Sequence, residues 1–227
     1  MDLKRKYIVW KQKSATDTTF ENVELISFHL PKTGGVSFRN ALKHIYKNHL
    51  QLLYGSPFQE RINTQLPIWV PKNTKAIHGH FQPHQGLKKQ FPNAKWVIWF
   101  RPPEERIISH YNYWKANPQQ GKLYEHFKNE IHTFKDFVTS KTLKSQVCLY
   151  ETYLRKSHLT DFDFIGDLND FEKEMNRFGK MFDVNIPAIE QLNKSDKLKN
   201  EDYSFDEEML SAIKKEIEIY ERIKANS

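Results

Sequence analysis

An apolar segment, Val23-Glu24-Leu25-Ile26-Ser27-Phe28, runs by way of His29-Leu30 into Pro31-Lys32-Thr33-Gly34-Gly35 and then into residues 36–48, where Phe38, Ala41, Leu42 and Ile45 recur at helical spacing. A strand, a tight glycine-bearing loop and an amphipathic helix in that order constrain the fold more than any other feature of the chain. Gly34 and Gly35 let backbone amides crowd a ligand. Free N–H groups and the positive end of the helix dipole favour a phosphate or sulfate there, and Lys32 adds a full charge beside them.

Four further segments read as strands: residues 50–54, 75–78, 95–100 and 162–166, after a first at 22–30. Helical patterns lie between most of them, at 103–114 with Pro103 in the first turn, at 133–140 and at 144–156. Strands alternating with helices predict parallel pairing through right-handed crossovers. The expectation is therefore a three-layer α/β fold, a central parallel sheet of about five strands flanked by helices, with ligands at the carboxyl ends of the strands. The first and fourth strands are the most apolar and belong in the middle. Phe171, Met175, Phe178 and Phe182 share one helical face, as do Leu210, Ile213, Ile217 and Tyr220, and both stripes read as core. Residues 55–73 and 185–202 read as irregular connections, and residues 1–21 carry no firm assignment beyond a strand at 7–10.

At 227 residues one domain is expected, and 16 Phe, 10 Tyr and 5 Trp supply ample core. The longest strongly apolar run, 96–100, is far too short to cross a bilayer, and the basic start Lys4-Arg5-Lys6 is not followed by an apolar signal region. The expectation is a soluble, cytoplasmic protein. A single cysteine, Cys148, rules out an intramolecular disulfide and a cysteine zinc cluster, and reads as a small buried hydrophobe. Net charge is +7, which favours anionic ligands at long range without choosing among nucleotides, acidic glycans and nucleic acid.

Two other segments carry chemistry. Arg101 stands where the apolar strand Trp96-Val97-Ile98-Trp99-Phe100 ends, and Ser109 follows eight residues later on the next helix, so guanidinium and hydroxyl fit one phosphate. Ala76-Ile77-His78-Gly79-His80-Phe81 closes the third strand with two imidazoles, either of which titrates near enough to neutrality to act as a base. The Lys32 loop is not the usual nucleotide P-loop, which has four residues between its glycines and a Gly-Lys-Ser/Thr ending. Taken singly, each segment also fits a plainer role: a glycine turn with an exposed Lys32, a surface ion pair of Arg101 with Glu104 or Glu105, a solvent-facing Ser109, hydrogen-bonded strand-end histidines. His29 reads as structural. His78, His80 and His84 have a metal-like spacing that no acidic or cysteine ligand nearby completes.

Taken together, the segments resemble the paired signature of sulfotransferases that use 3′-phosphoadenosine 5′-phosphosulfate (PAPS). Pro31-Lys32-Thr33-Gly34-Gly35-Val36-Ser37 looks like their 5′-phosphosulfate loop, and Arg101 with Ser109 like their 3′-phosphate site. The histidine pair is similar to that of the glycan 2-O-sulfotransferase branch. The resemblance spans roughly residues 23–220, with Phe164-Ile165-Gly166-Asp167 and Leu192-Asn193-Lys194-Ser195 as less specific late segments. It implies a P-loop-like sulfotransferase fold, PAPS as donor, adenosine 3′,5′-bisphosphate (PAP) as product and no metal. Asn193 and Ser195 would join the donor site. Lys32 would stabilise the leaving phosphate, and His78 or His80, with His78 favoured, would take the proton of a hydroxyl acceptor. That acceptor would be a glycan or a small metabolite, with neither nucleic acid nor membrane as partner. A Golgi lumenal location would follow only if the chain were a trimmed ectodomain. A kinase-like nucleotide phosphotransferase and a noncatalytic anion- or nucleic-acid-binding module are the alternative readings.

Overall fold

The structure, a computed structural model, describes residues 11–12, 18–55, 61–62, 64–186 and 202–225. Five strands form one sheet: β1 (Leu25–Phe28), β2 (Leu50–Leu53), β3 (Ala76–Gly79), β4 (Lys95–Phe100) and β5 (Phe164–Asp167). Their order is β2-β3-β1-β4-β5 and every pairing is parallel. The three-layer α/β reading holds, and the two most apolar strands, β1 and β4, lie side by side inside the sheet.

The helices are α1 (Gly35–Tyr46), α2 (Gln85–Gln90), α3 (Pro103–Ala116), α4 (Lys122–Glu130), α5 (Phe134–Thr139), α6 (Lys144–Val147), α7 (Leu149–Leu154), α8 (Phe171–Phe182), α9 (Glu207–Ala212) and α10 (Lys214–Ala225). Strand residues alternate between the two faces of the sheet, and both are covered. On one face Leu25, Val97, Trp99 and Phe164 pack against Phe38, Ala41 and Leu42 of α1 and Phe171, Met175 and Phe178 of α8. On the other, Ile26, Phe28, Trp96, Ile98 and Phe100 pack against Leu87, Tyr150 and Tyr220. Phe28 sits at the centre of that face, edge-on to Phe81, Trp96 and Phe162 at centroid distances of 5.2, 5.0 and 5.7 Å. A third apolar cluster joins α3, α4, α5 and α9 around Tyr111, Trp114, Phe127, Phe134 and Phe137.

Three local expectations are corrected. The predicted helix 144–156 is two helices meeting at Cys148. Arg106, fully buried on α3, donates to the carbonyls of Gln146 (3.2 Å) and Val147, while Glu216 of α10 accepts from the amides of Tyr150 (2.9 Å) and Glu151 (2.8 Å). Side chains distant in sequence thus satisfy the end of α6 and the start of α7. The stripe through Leu210 is likewise interrupted at Ile213, where α9 gives way to α10. Leu210 is therefore exposed, Met209 and Ile213 are buried in the third cluster, and Ile219 and Ile223 are buried in the core beneath β1 and β4. Helices α2 and α4 lie where no element was predicted. Cys148 is buried, as expected. The strand at 7–10 lies outside the described residues, as does nearly all of 185–202.

Candidate functional site

The middle strands β3, β1 and β4 end at one edge of the sheet. Phe28 pairs with Gly79 on one side and Ile98 on the other, and His29 N donates to Gly79 O at 2.8 Å, so the chain leaves at His29, His80 and Arg101 from adjacent positions. From β1 the chain moves outward to β2, and from β4 it moves the opposite way to β5. A parallel sheet opens a crevice where its winding reverses, at the carboxyl ends of the strands. The Lys32 loop and Arg101 follow the two strands that flank that reversal, and the histidine pair closes β3 next to β1.

The loop after β1 is shaped by its own residues. Thr33, fully buried, donates through Oγ1 to Leu30 O at 3.0 Å. Lys32 and Gly34 both have left-handed backbone, φ 70° and 82°. A Cβ on Gly34 would lie 2.3 Å from a Leu168 methyl, and one on Gly35 would lie 1.9 Å from the His29 ring. Gly34 is the N-cap of α1 and offers no side-chain cap. The first-turn amides therefore open on the crevice with glycine backbone around them, the arrangement that binds an anion.

Two cations share this space. The Lys32 ammonium lies 4.4 Å from the centroid of the Tyr113 ring, on α3. Burial, then the positive charge of Arg101, holds its pKa below the ordinary lysine value. Arg101 is fixed through its backbone, for the buried Tyr150 hydroxyl accepts from Arg101 N at 3.2 Å and donates to Arg101 O. Its guanidinium meets Glu105 across the first turn of α3, at 3.2 Å from Nε and 3.1 Å from Nη2. The ion pair weighed from sequence is thus present, with Arg101 still inside Lys32's field. Ser109 is on α3, buried rather than facing solvent, with a polar partner of its own. Asn193 and Ser195 lie outside the described residues.

The histidines gather on the α1 face. Alternation puts Ser27, His29, His78 and His80 on one side of the sheet. His78 is 1% exposed, its Nδ1 is 2.8 Å from Ser27 Oγ, and burial pushes its pKa down to about 3. His80 is half-buried at the strand end, and burial, with Arg39 adding to it, lowers its pKa to about 4. The His29 ring stacks on His80 at 4.2 Å and 22°, and its Nδ1 lies 2.8 Å from the Tyr54 hydroxyl. His84 is buried at the start of α2, and among the described residues no group of His, Cys, Asp or Glu is arranged to hold a metal.

Tyr54, Tyr113 and Arg39 were not singled out from sequence. Tyr113 stands four residues after Ser109 and Tyr54 directly follows β2, so helical and strand-end spacing carried a signal for both.

No family model matches the chain, and no curated protein matches it. Among solved structures, a sulfotransferase from Alicyclobacillus acidocaldarius aligns with 87% of this chain and 92% of its own, at 11% identity and a TM-score of 0.50. The chain has the sulfotransferase fold. Mouse sulfotransferase SULT7A1, complexed with PAP, aligns over 77% of this chain at 15% identity and a TM-score of 0.43, and the chain spans 63% of that protein's length. At 11% identity the Alicyclobacillus likeness speaks for the fold alone.

Proposed function

We propose that the chain is a sulfotransferase that takes PAPS as donor and a hydroxyl-bearing acceptor, a glycan in the first instance. The observation that carries this is the placement of Lys32 and Arg101 after the paired strands β1 and β4, beside a glycine cradle and a helix start with no side-chain cap. Two cations held together at uncapped amides fit a ligand with more than one anionic group.

The glycine cradle and the open first turn of α1 fit the 5′-phosphosulfate, which Lys32 and the amides of residues 33–37 would hold. Arg101 and Ser109 would hold the 3′-phosphate, with Arg101 exchanging Glu105 for the ligand. When bound, PAPS supplies the sulfuryl group that moves to the acceptor oxygen. Lys32 and the loop amides stand ready for the charge that grows on the departing phosphate, before any reorganisation. His80, held neutral by burial and placed at the strand end, accepts the acceptor proton. His78 is deeper and engaged by Ser27, so its part is to support the strand end.

Calorimetry with PAP tests the reading without an acceptor. PAP at about 100 times its dissociation constant adds roughly 2.7 kcal/mol of stability, so a clear rise in melting temperature is expected, and Lys32→Ala with Arg101→Ala should abolish it. A larger rise with ATP and magnesium than with PAP would favour a phosphotransferase and overturn the assignment. The acceptor would follow from release of PAP in the presence of pooled glycans and metabolites.

A further inference from the structure

His29 belongs to neither phosphate loop nor histidine pair by sequence, yet it touches both. Its ring covers the α-carbon of Gly35, where any Cβ would collide with it, and its other surface stacks on His80 at 4.2 Å. His78 lies behind, its ring 5.1 Å away and also within 22° of parallel. Tyr54 closes the side, 2.8 Å from His29 Nδ1 through its hydroxyl and edge-on to His80 at 5.0 Å. Three fixed surfaces therefore hold the His29 plane: the Gly35 backbone, the Tyr54 hydroxyl and the His80 ring.

We propose that His29 is a positioning residue, whose ring, fixed by Tyr54 and Gly35, sets the plane of the His80 imidazole and so keeps that imidazole on its hydrogen bond to the His29 backbone, which selects its tautomer. This rests on the sulfuryl-transfer reading, in which His80 is the base. A ring stacked at van der Waals distance resists rotation of its neighbour out of plane, and an imidazole base acts only when its nitrogen points at the hydroxyl. His29 faces His78 and His80 from β3, Tyr54 from the end of β2, Arg39 from α1 and Lys32 from its own loop. Every charge facing it is positive. A resting proton on the stack is therefore opposed, and the three rings are neutral until His80 takes the proton of the acceptor hydroxyl.

Nitrogen-15 correlation spectra of the histidine rings test this without any substrate. In the parent protein His80 should show one tautomer throughout the neutral range. His29→Asn, which removes the stacked ring, should leave His80 averaging between tautomers and move its titration midpoint up by about one pH unit toward the ordinary value. His29→Phe keeps a flat ring over Gly35 and should restore the single tautomer. Tyr54→Phe removes only the hydroxyl and should shift the His80 signals in the same direction by less, and it decides the matter if His29→Asn does not fold. His80 signals identical in the parent, His29→Asn and Tyr54→Phe would overturn the proposal. In turnover, measured as PAP release with pooled glycan acceptors, His29→Asn should lose about tenfold in kcat with PAP affinity unchanged, a loss on the scale of a misaligned base. Failure of the parent to bind PAP would sink the donor reading instead, and parent-like turnover in His80→Asn would sink the base assignment. In either case the ring spectra still decide whether His29 orients its neighbour.

Discussion

Lys32 is held in left-handed backbone, its ammonium over an aromatic ring and beside a second cation, each of which a solvent-exposed lysine avoids. Its lowered pKa also has a consequence for binding. An anion at the loop favours the charged amine, so donor affinity should decline on the alkaline side, beginning below the ordinary lysine value of about 10.4. In the proposed transfer the charge would act on the departing phosphate, so Lys32→Ala should lower turnover by on the order of a hundredfold, whereas Arg101→Ala should chiefly weaken PAP binding. Calorimetry beside steady-state kinetics separates the two, and a Lys32→Ala protein with parent-like kcat would remove that residue from the chemistry. Gly35 offers a backbone counterpart. Gly35→Ala puts a methyl into the His29 ring and should cost about 1–3 kcal/mol, as overpacking does, with weakened PAP binding. Thermal denaturation checks it, and an unchanged melting temperature would mean that the ring moves aside freely.

At the scale of elements, the backbone of Arg101 depends on a helix whose start is fixed from far along the chain. Glu216 of α10 caps α7, α7 carries Tyr150, and Tyr150 holds the backbone of Arg101 on both sides. Glu216→Ala leaves two buried amides without acceptors and should destabilise the protein by about 2–4 kcal/mol, with Glu216→Gln milder because one oxygen remains. Urea denaturation measures this, and a loss below about 0.5 kcal/mol, the scale of an ordinary surface change, would show that water replaces the cap. The same contact explains what sequence left illegible. Periodicity across 144–156 is that of one helix, and only Arg106 and Glu216, brought in by tertiary structure, reveal the break at Cys148. The five strands were readable because each is a short apolar run bounded by polar or turn residues, and Lys32, Arg101 and His80 because each follows such a run. His29 follows the same run as Lys32, but nothing in the sequence tells that it turns back onto the sheet's histidines. Its position on the α1 face is a product of strand alternation, but its contact with Gly35 and Tyr54 depends on how β1, β2 and α1 close together.

For the molecule as a whole, burial of histidines ties stability to their neutral form. Burial, reinforced by neighbouring positive charge, lowers the pKa of His29, His78, His80 and His110, the last to about 3. An unfolded histidine titrates near 6.5, so above that pH both states are neutral and nothing is lost. As pH falls below about 6.5 the unfolded chain binds protons that the folded crevice refuses, and each histidine removes up to about 1.4 kcal/mol of stability per pH unit until its folded pKa is reached. Glu216 opposes this. Burial raises its pKa despite Arg106, so as the pH falls it protonates first in the folded state and adds stability there. It is one group against five, because burial lowers His84 in the same way. Asp136 and Asp161, whose pKa values are lowered, weaken the fold only near and below the ordinary carboxylate range, under the histidine window. Urea midpoints should therefore fall steeply between about pH 6.5 and 5, with a slope of more than one proton. PAP should not abolish that slope, because in the proposed binding mode its phosphates would face Lys32 and Arg101, while His78 is buried and His110 is packed against Trp114 and Phe137. His110→Gln should flatten it by about one proton's worth, and a midpoint constant across that range would mean that the crevice histidines are open to water.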